Sequence, residues 1–423
     1  MDNPARSAIF TAMTDTLQST DVLIIGGSLN GAALALALGR AGLRATVIDA
    51  LPRATQASAE FDGRCYAMAL ASVRMLRALG LWDTLAQGAQ PILDIKVSDG
   101  RAGEGPAPCT LHFDHAELEE GPMGHMVEDR HLRPALLAAI DAEPNVTHLP
   151  GTRVAAQAVV GGRAEITLDD GSVLRAPLLV GADGRTGPTA GRAGIRRRVT
   201  DYRQTALVCA IEHDRPHHGV AHQFFMPPGP LAILPLTGNR SSIVWSESAA
   251  QAAAVQAMDD DGYLTVLRPR FGSFLGEIRL AGARYTYPLN MTLASSFTAP
   301  RLALVGDAAR GVHPIAGQGL NAGLRDVAAL AEVVALAHRR GQDIGAPDVL
   351  ALYAGWRRFD TATLAFATDT FNRLFSNDNP LLRAGRDLGL GLVNAAPSLR
   401  RAFMREAAGL TGDLPRLLTG APL

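Results

Sequence analysis

The sequence predicts an α/β fold with an α+β insertion: a Rossmann-like nucleotide-binding domain, an interleaved antiparallel-sheet domain and a helical C-terminal tail. Three observations carry this expectation. A strand–turn–helix–strand order fills residues 21–50, paired turn signals break the middle of the chain into short strands, and long helical periodicity begins near Gly319.

The 423 residues are 47% apolar and 19% charged, too apolar for disorder and too interrupted by charge for a membrane bundle. A net charge of −1 gives no global attraction to nucleic acid, so no such partner is expected. Lys96 is the sole lysine, a composition bias that carries no function. Cys65, Cys109 and Cys209 lie far apart without a Cys-x-x-Cys pair, which argues against a disulfide framework or a metal centre and for a reducing compartment. Residues 1–20 contain Asp2 and Asp15 and read as a loose extension rather than a signal peptide. No stretch reaches the roughly 18 uninterrupted apolar residues of a membrane span. A cytoplasmic protein, at most peripheral on the inner face of the membrane, is expected.

Along the chain, DVLII from Asp21 is an apolar, β-branched run suited to a buried parallel strand. GGSLNG follows, then AALALALGRAGL, a helix apolar nearly all round that ends at Gly42, and RATVIDA as a second strand. From Val146 to Val180, Gly161-Gly162 and Asp169-Asp170-Gly171 mark hairpins, predicting an antiparallel meander with LLVGADG as its closing strand. Residues 203–248 and 278–290 read as short strands, with helices over 249–258 and 262–270 between them. RLALVGDA is a strand before the long helix near Gly319, and the chain after Pro347 reads as helical, punctuated at Pro380, Pro397 and Pro415.

Written as G-x-G-x-x-G, the first turn offers Gly26, Ser28 and Gly31, with serine where a glycine would let backbone approach a pyrophosphate. The helix N-terminus still presents unpaired N–H groups to an anion. Asp49 lies 23 residues after Gly26, near the spacing of a carboxylate that holds ribose hydroxyls. With strand, helix and acid in place, an adenine dinucleotide is the expected ligand, and Ser28→Gly is expected to tighten it. A second cluster, GDAARGVHPIAGQGLNAGLRD from Gly306 to Asp326, is more specific. Asp307 ends a strand where it can reach a sugar or ribityl hydroxyl, and Gly317, Gly319 and Asn321 open a helix around Gln318 and Leu320. Glycines there expose successive N–H groups toward a site that suits the negative charge of a reduced flavin.

These residues resemble the group A flavoprotein monooxygenases of para-hydroxybenzoate hydroxylase fold, and more closely their ubiquinone-biosynthesis hydroxylase branch. GGSLNGAALALAL, the segment from Asp62 to Trp82, LLVGADGRTG, HPIAGQGLNAGLRDV and the tail around Tyr353 and Arg357 carry the likeness, over roughly Asp21 to Gly409. The resemblance implies that Gly26, Gly27, Ser28 and Gly31 hold the FAD pyrophosphate and Asp49 the adenosine ribose. It implies Arg64 and Arg130 at the phosphate–ribityl stretch, backbone near Val154 at the adenine, Asp307 at the ribityl chain, and Pro314 with Gly317, Gln318, Gly319, Leu320 and Asn321 along the isoalloxazine. Asp183 would support the cofactor and its reduction; a structural turn-capping role reads equally well. By the same resemblance, residues 21–90, 125–200 and 285–345 form a discontinuous FAD-binding domain, 91–124 and 201–284 the substrate-binding domain, and 346–423 a helical C-terminal region.

The implied reaction is aromatic hydroxylation: FAD, reduced by NAD(P)H or a reduced electron carrier, activates O2 and delivers one oxygen atom to an electron-rich phenol. By family that phenol is a polyprenylated ubiquinone precursor, so membrane contact and quinone-biosynthesis partner proteins are expected. His313, beside Pro314, could serve proton traffic or simply hold a strand–helix turn. His217, His218 and His222 lack a nearby acid, so no metal site is expected. The run AHQFFMPPGPLAILPL suits either a wall for a greasy ligand or plain sheet core. In the tail, Arg383, Arg386, Arg400, Arg401, Arg405 and Arg416 suit either anionic lipid or a salt-bridged helix face. The chain departs from the family pattern at Ser28, at Gly187 and Ala190 (where serine and arginine usually follow GADG), and at Arg310. Two alternatives stay open: another flavin oxidoreductase acting on a soluble aromatic or prenyl substrate, or, suggested by Ser28, Gly187 and Arg310, a non-catalytic scaffold in a quinone-biosynthesis assembly.

Overall fold

The computed structural model describes residues 20–56, 61–227, 229–311, 318–358, 389 and 391–423, with the backbone alone at 106–109 and 318. The chain runs β1 (Val22–Ile25), α1 (Leu29–Arg40), β2 (Ala45–Asp49), β3 (Cys65–Ala69), β4 (Gly124–Glu128), α2 (Asp129–Ala142), β5 (Val146–Pro150), β6 (Leu178–Gly181), β7 (Arg197–His213), β8 (Arg240–Ser248), β9 (Tyr285–Ala294), β10 (Leu302–Leu304), α3 (Gln318–Arg339) and α4 (Pro397–Ala407). Other elements are named below by their residues.

The nucleotide domain is built on a six-stranded sheet ordered Thr298–Ala299, β10, β6, β1, β2, β5, parallel except at the Thr298–Ala299 edge. All four residues of β1 and all five of β2 are buried, which is why both read as unbroken apolar runs. Helix α1 is buried at nearly every position and lies in one core with α2 and α3. Its C-terminal glycine, Gly42, has φ 89°, the left-handed conformation that ends a helix without penalty.

The meander is shorter than the sequence suggests. Only Val154–Val160, Arg163–Leu168 and Val173–Ala176 form it. β5 pairs in parallel with β2, and β6, the expected closing strand LLVG, pairs in parallel with β1. Hairpin signals mark turns but not where a neighbouring strand comes from. The distinguishing feature is that β6 is buried throughout, whereas Arg163–Leu168 alternates.

The insertion is a nine-stranded, mostly antiparallel sheet. Its order is Arg310–Gly311, β9, β7, β8, Gly229–Leu236, Val220–Met226, Asp94–Arg101, Gly105–Asp114, with Ile278–Leu280 also paired to β7. Helices Ala249–Gln256 and Asp260–Phe271 cover one face, where Leu207, Leu231, Ile233 and Trp245 meet Tyr263, Leu267 and Phe271. The alternate residues Ala210, Ala221 and Leu236, with Leu234, pack into the core around α1 and α3. AHQFFMPPGPLAILPL is therefore sheet core on one face and the wall toward the nucleotide domain on the other. A fourth sheet, β3–β4–Gln90–Ile92, and the helix Leu70–Ala78 lie beside α3, and neither is marked in the sequence reading. The tail contributes Met404, Leu417 and Leu418 to the same core. Among the described residues no helix is long and apolar enough to cross a membrane.

Candidate cofactor site

At the C-terminal edge of the parallel sheet, the first turn is shaped by missing side chains. Gly26 has φ 101°, and a Cβ there would stand 2.5 Å from the Ala182 carbonyl oxygen. A Cβ on Gly31 would stand 1.8 Å from the Gly26 oxygen, so α1 can approach the strand only because that position is glycine. Gly27 donates its N–H to Asp49 Oδ2 at 2.5 Å, and Leu51 donates to Oδ1 at 2.7 Å, which fixes the buried carboxylate at the end of β2. Ser28 sits at φ −71° and ψ −171°, extended backbone open to any residue, so serine in the middle-glycine place costs no strain. Val154 begins a strand two residues past Thr152, whose N–H donates to the Asp49 carbonyl. Arg192 donates to the Val154 carbonyl at 2.9 Å.

The second turn is held by side chains from distant parts of the chain. Gly306 has φ 60° and donates its N–H to Asp326 Oδ2 at 3.0 Å. Asp326 Oδ1 accepts from Arg310 at 2.9 Å and Arg357 at 2.7 Å, all three side chains at 2% exposure or less. Tyr353 donates to the Leu304 carbonyl at 2.7 Å. The tail residues Tyr353 and Arg357 thus clamp the turn that carries Asp307, and Arg310 belongs to that clamp rather than to a phosphate. Asp307 itself accepts from Arg185 Nε at 2.8 Å.

Asp183 lies in the GADG turn that follows β6. Its Oδ2 accepts from the Thr189 N–H at 3.0 Å, while its Oδ1 is buried with no partner among the described residues. A Cβ on Gly187 would stand 2.1 Å from the Asp183 carboxyl carbon, so the glycine departure makes room for that carboxylate. Arg197, from β7, donates to the carbonyls of Arg185, Gly187, Gly184 and Ala308 and so ties the GADG turn to the second turn. No spacing in the sequence marks Arg197, because its role depends on where β7 enters the insertion.

Arg64 and Arg130 both reach the junction of β4 and α2, each committed to carboxylates. Arg64 pairs with Asp62 at 2.6 Å and Asp129 at 3.3 Å, and the bond to Asp62 holds its guanidinium above its ordinary pKa. Arg130 and Arg240 both bond Glu128, at 2.6 and 2.8 Å, and both stand over the Phe61 ring. Burial, with Asp129 beside it, pushes the Tyr66 phenol up. Glu128, Asp129, Phe61 and Arg240 escape a sequence reading because acids next to arginines look like solvated helix charges.

Gly319 and Leu320 open α3, which has no acidic residue in its first turn, and a Cβ on Gly319 would meet no atom of the described residues within 4 Å. The Asn321 side chain is spent on the β3 end: its Oδ1 accepts from Ala69 N–H and Ser72 Oγ, and its Nδ2 donates to the Ala67 carbonyl. His313, Pro314 and Gly317 lie outside the described residues, as does the Gln318 side chain. His217 bonds the Leu236 carbonyl and the Gly219 N–H. Two N–H-bearing turns, the strand-end carboxylate of Asp49, Asp307 in the 3-10 turn past β10, an orphaned buried carboxylate oxygen and, among the described residues, open space at a helix N-terminus together fit a dinucleotide with a flat ring system.

Residues 19–357 match the FAD binding domain family. The chain belongs to that family. It is an FAD-dependent monooxygenase. It is 45% identical over 100% of its length to 97% of ubiquinone hydroxylase UbiL of Rhodospirillum rubrum. It is 36% identical, over 93% of this chain and 100% of that protein, to 3-demethoxyubiquinol 3-hydroxylase of Escherichia coli. Against the human ubiquinone biosynthesis monooxygenase COQ6 the identity is 30%, covering 94% of each chain. The fold is shared with p-nitrophenol 4-monooxygenase PnpA of Pseudomonas putida, at TM-score 0.77 and 20% identity over 93% of this chain and 98% of that one. The resemblance to the flavoprotein hydroxylases therefore holds across the family match, and the tail beyond residue 357 is covered by the UbiL alignment.

Proposed function

We propose that this FAD-dependent monooxygenase hydroxylates the aromatic ring of a polyprenylated phenol in ubiquinone biosynthesis. The observation that carries the reading is the pair of turns on one sheet edge, in a chain 45% identical end to end to a ubiquinone hydroxylase. The six-stranded sheet serves as the cofactor domain, and the nine-stranded sheet provides the substrate wall. The bound flavin, reduced by NAD(P)H or a reduced carrier, supplies oxygen activation. Gly26, Gly27, Ser28 and Gly31 receive its pyrophosphate, Asp49 the adenosine ribose, and the backbone at Val154 the adenine. Asp307 meets the ribityl chain, with Arg185 orienting the carboxylate. Gly319, Leu320 and Asn321, with Pro314, Gly317 and Gln318 ahead of them in the sequence, would line the ring system, and the N-terminus of α3 would offer backbone N–H groups to its negative edge. Arg64 and Arg130 frame the phosphate–ribityl stretch, Asp183 supports the reduction step, and His313 holds or moves a proton beside the ring. The apolar face of Ala221, Leu234 and Leu236 keeps water from the reacting atoms.

A lipid-soluble substrate calls for a membrane approach. Leu392, Leu399 and Phe403 are 62%, 45% and 41% exposed on the tail, beside Arg401. Arg400 and Arg405 are instead paired with Glu117 and Glu120, and Arg383 and Arg386 lie outside the described residues. Leu392, Leu399 and Phe403 are the surface we assign to peripheral contact.

Deleting the gene in a quinone-making host and analysing the quinone fraction by mass spectrometry tests the reading. Accumulation of a prenylated aromatic precursor lacking one oxygen, cured by the gene, is the expected result. Unchanged quinone with no such precursor overturns it.

A further inference from the structure

Serine is a favoured helix cap, yet Ser28 makes no side-chain cap bond to α1. Its Oγ instead accepts from Arg133 Nη1 at 3.2 Å. Arg133 lies on the second turn of α2 and is held by a two-pronged pair with Asp129, Nε to Oδ2 at 3.1 Å and Nη2 to Oδ1 at 3.0 Å. That carboxylate is itself anchored by the Tyr66 hydroxyl at 2.8 Å and by Arg64 at 3.3 Å. Arg133 keeps 15% of its side chain exposed, and the exposed end is the one at Ser28. A guanidinium is thus fixed beside the first turn of α1, where the unpaired N–H groups of the helix already favour an anion.

We propose that Ser28 and Arg133 act as one binding unit for the diphosphate of the dinucleotide, replacing the close backbone contact that a middle glycine would give. Because Ser28 Oγ accepts from the guanidinium, its own O–H is left to donate to a phosphate oxygen, and Arg133 places positive charge behind that bond. Asp129 acts as the positioning residue: it orients the guanidinium rather than touching the ligand. Arg64 and Arg130, the arginines that the family likeness points to, are tied more closely to Asp62 and Glu128. This reverses the expectation for Ser28→Gly, since the serine occupies unstrained backbone and removing it disconnects Arg133.

The test is equilibrium titration of the apoprotein with FAD, read by quenching of flavin fluorescence, with riboflavin as the probe that lacks the diphosphate. Arg133→Gln and Ser28→Gly are each expected to weaken FAD about tenfold. Each should leave riboflavin unchanged, and the double variant should be no weaker than the poorer single one. Added salt should weaken FAD less in Arg133→Gln than in the parent. FAD affinity within twofold of the parent in both variants overturns the proposal, as does equal weakening of FAD and riboflavin. Should Arg133→Gln fail to fold, Ser28→Gly decides alone because it leaves the Asp129 fork intact: weaker FAD supports the pair, and unchanged or tighter FAD refutes it.

Discussion

The two turns at the sheet edge face the same task by opposite means. The first, Gly26–Gly31, is local: two glycines allow a strand and a helix to touch, and Asp49 is fixed by the backbone N–H groups of Gly27 and Leu51. The second, Gly306–Gly311, is held from afar by Asp326, Arg357, Arg185 and Arg197. The first turn rests chiefly on missing side chains, and the second on carboxylates and guanidinium groups brought from afar, with Gly306 at φ 60° as its own glycine requirement. A single added methyl group should therefore break the first, whereas deletion of a remote carboxylate should break the second.

The largest effect is expected from Asp326→Ala. It removes the buried carboxylate that both Arg310 and Arg357 bond, and loss of one member of such a buried charged group costs about 3–5 kcal/mol. Denaturant unfolding should show that loss, with FAD affinity falling as Asp307 loses its support. Gly31→Ala comes next: the collision with the Gly26 oxygen is with backbone that cannot swing aside, so a loss of roughly 3 kcal/mol and of FAD uptake is expected. Parent-like stability in either variant would erase the distinction between the two turns.

A milder contrast comes from pH. His125 on β4 and His222 in the insertion are each held down at about 4, chiefly by burial, with Arg77 and Lys96 adding repulsion. In the unfolded chain they titrate near pH 6.5, so the unfolded state binds more protons between about pH 6.5 and 4. Stability should therefore fall as pH falls through that window. His222→Gln should flatten the fall while leaving FAD affinity unchanged; a Tm independent of pH there would contradict both assignments. The smallest effect on the fold is expected at Gly319→Ala. Its added methyl group meets no atom of the described residues within 4 Å, so apoprotein stability should stay within about 0.5 kcal/mol, while FAD affinity should drop if the proposed flavin position is right.

The same contrast explains what the sequence revealed. The strand–glycine turn–helix unit and Asp49 were legible because every requirement lies within residues 21–50. β1, β2, the helices at 249–256 and 260–271 and the long α3 were legible from burial and periodicity. β5 and β6 were misassigned to the meander because a hairpin signal says nothing about parallel partners. Arg197 and Asp326 were invisible as site residues because their partners lie 10 to 111 positions away in the chain, and Glu128 because its bond to Arg240 spans 112. Gly187, Ala190 and Arg310 looked like losses. In the structure, Gly187 makes room for Asp183, Arg197 ties the GADG turn to the second turn, and Arg310 joins the clamp on Asp326.

The central claim is that both turns close on one flavin. Titrating purified apoprotein with FAD, beside Asp49→Asn and Asp307→Asn variants, tests it most directly. The account predicts one FAD per chain in the parent, with the yellow absorbance of bound oxidised flavin, and clearly weaker uptake in both variants. A parent that takes up no FAD, or variants that bind it as tightly as the parent, would contradict it.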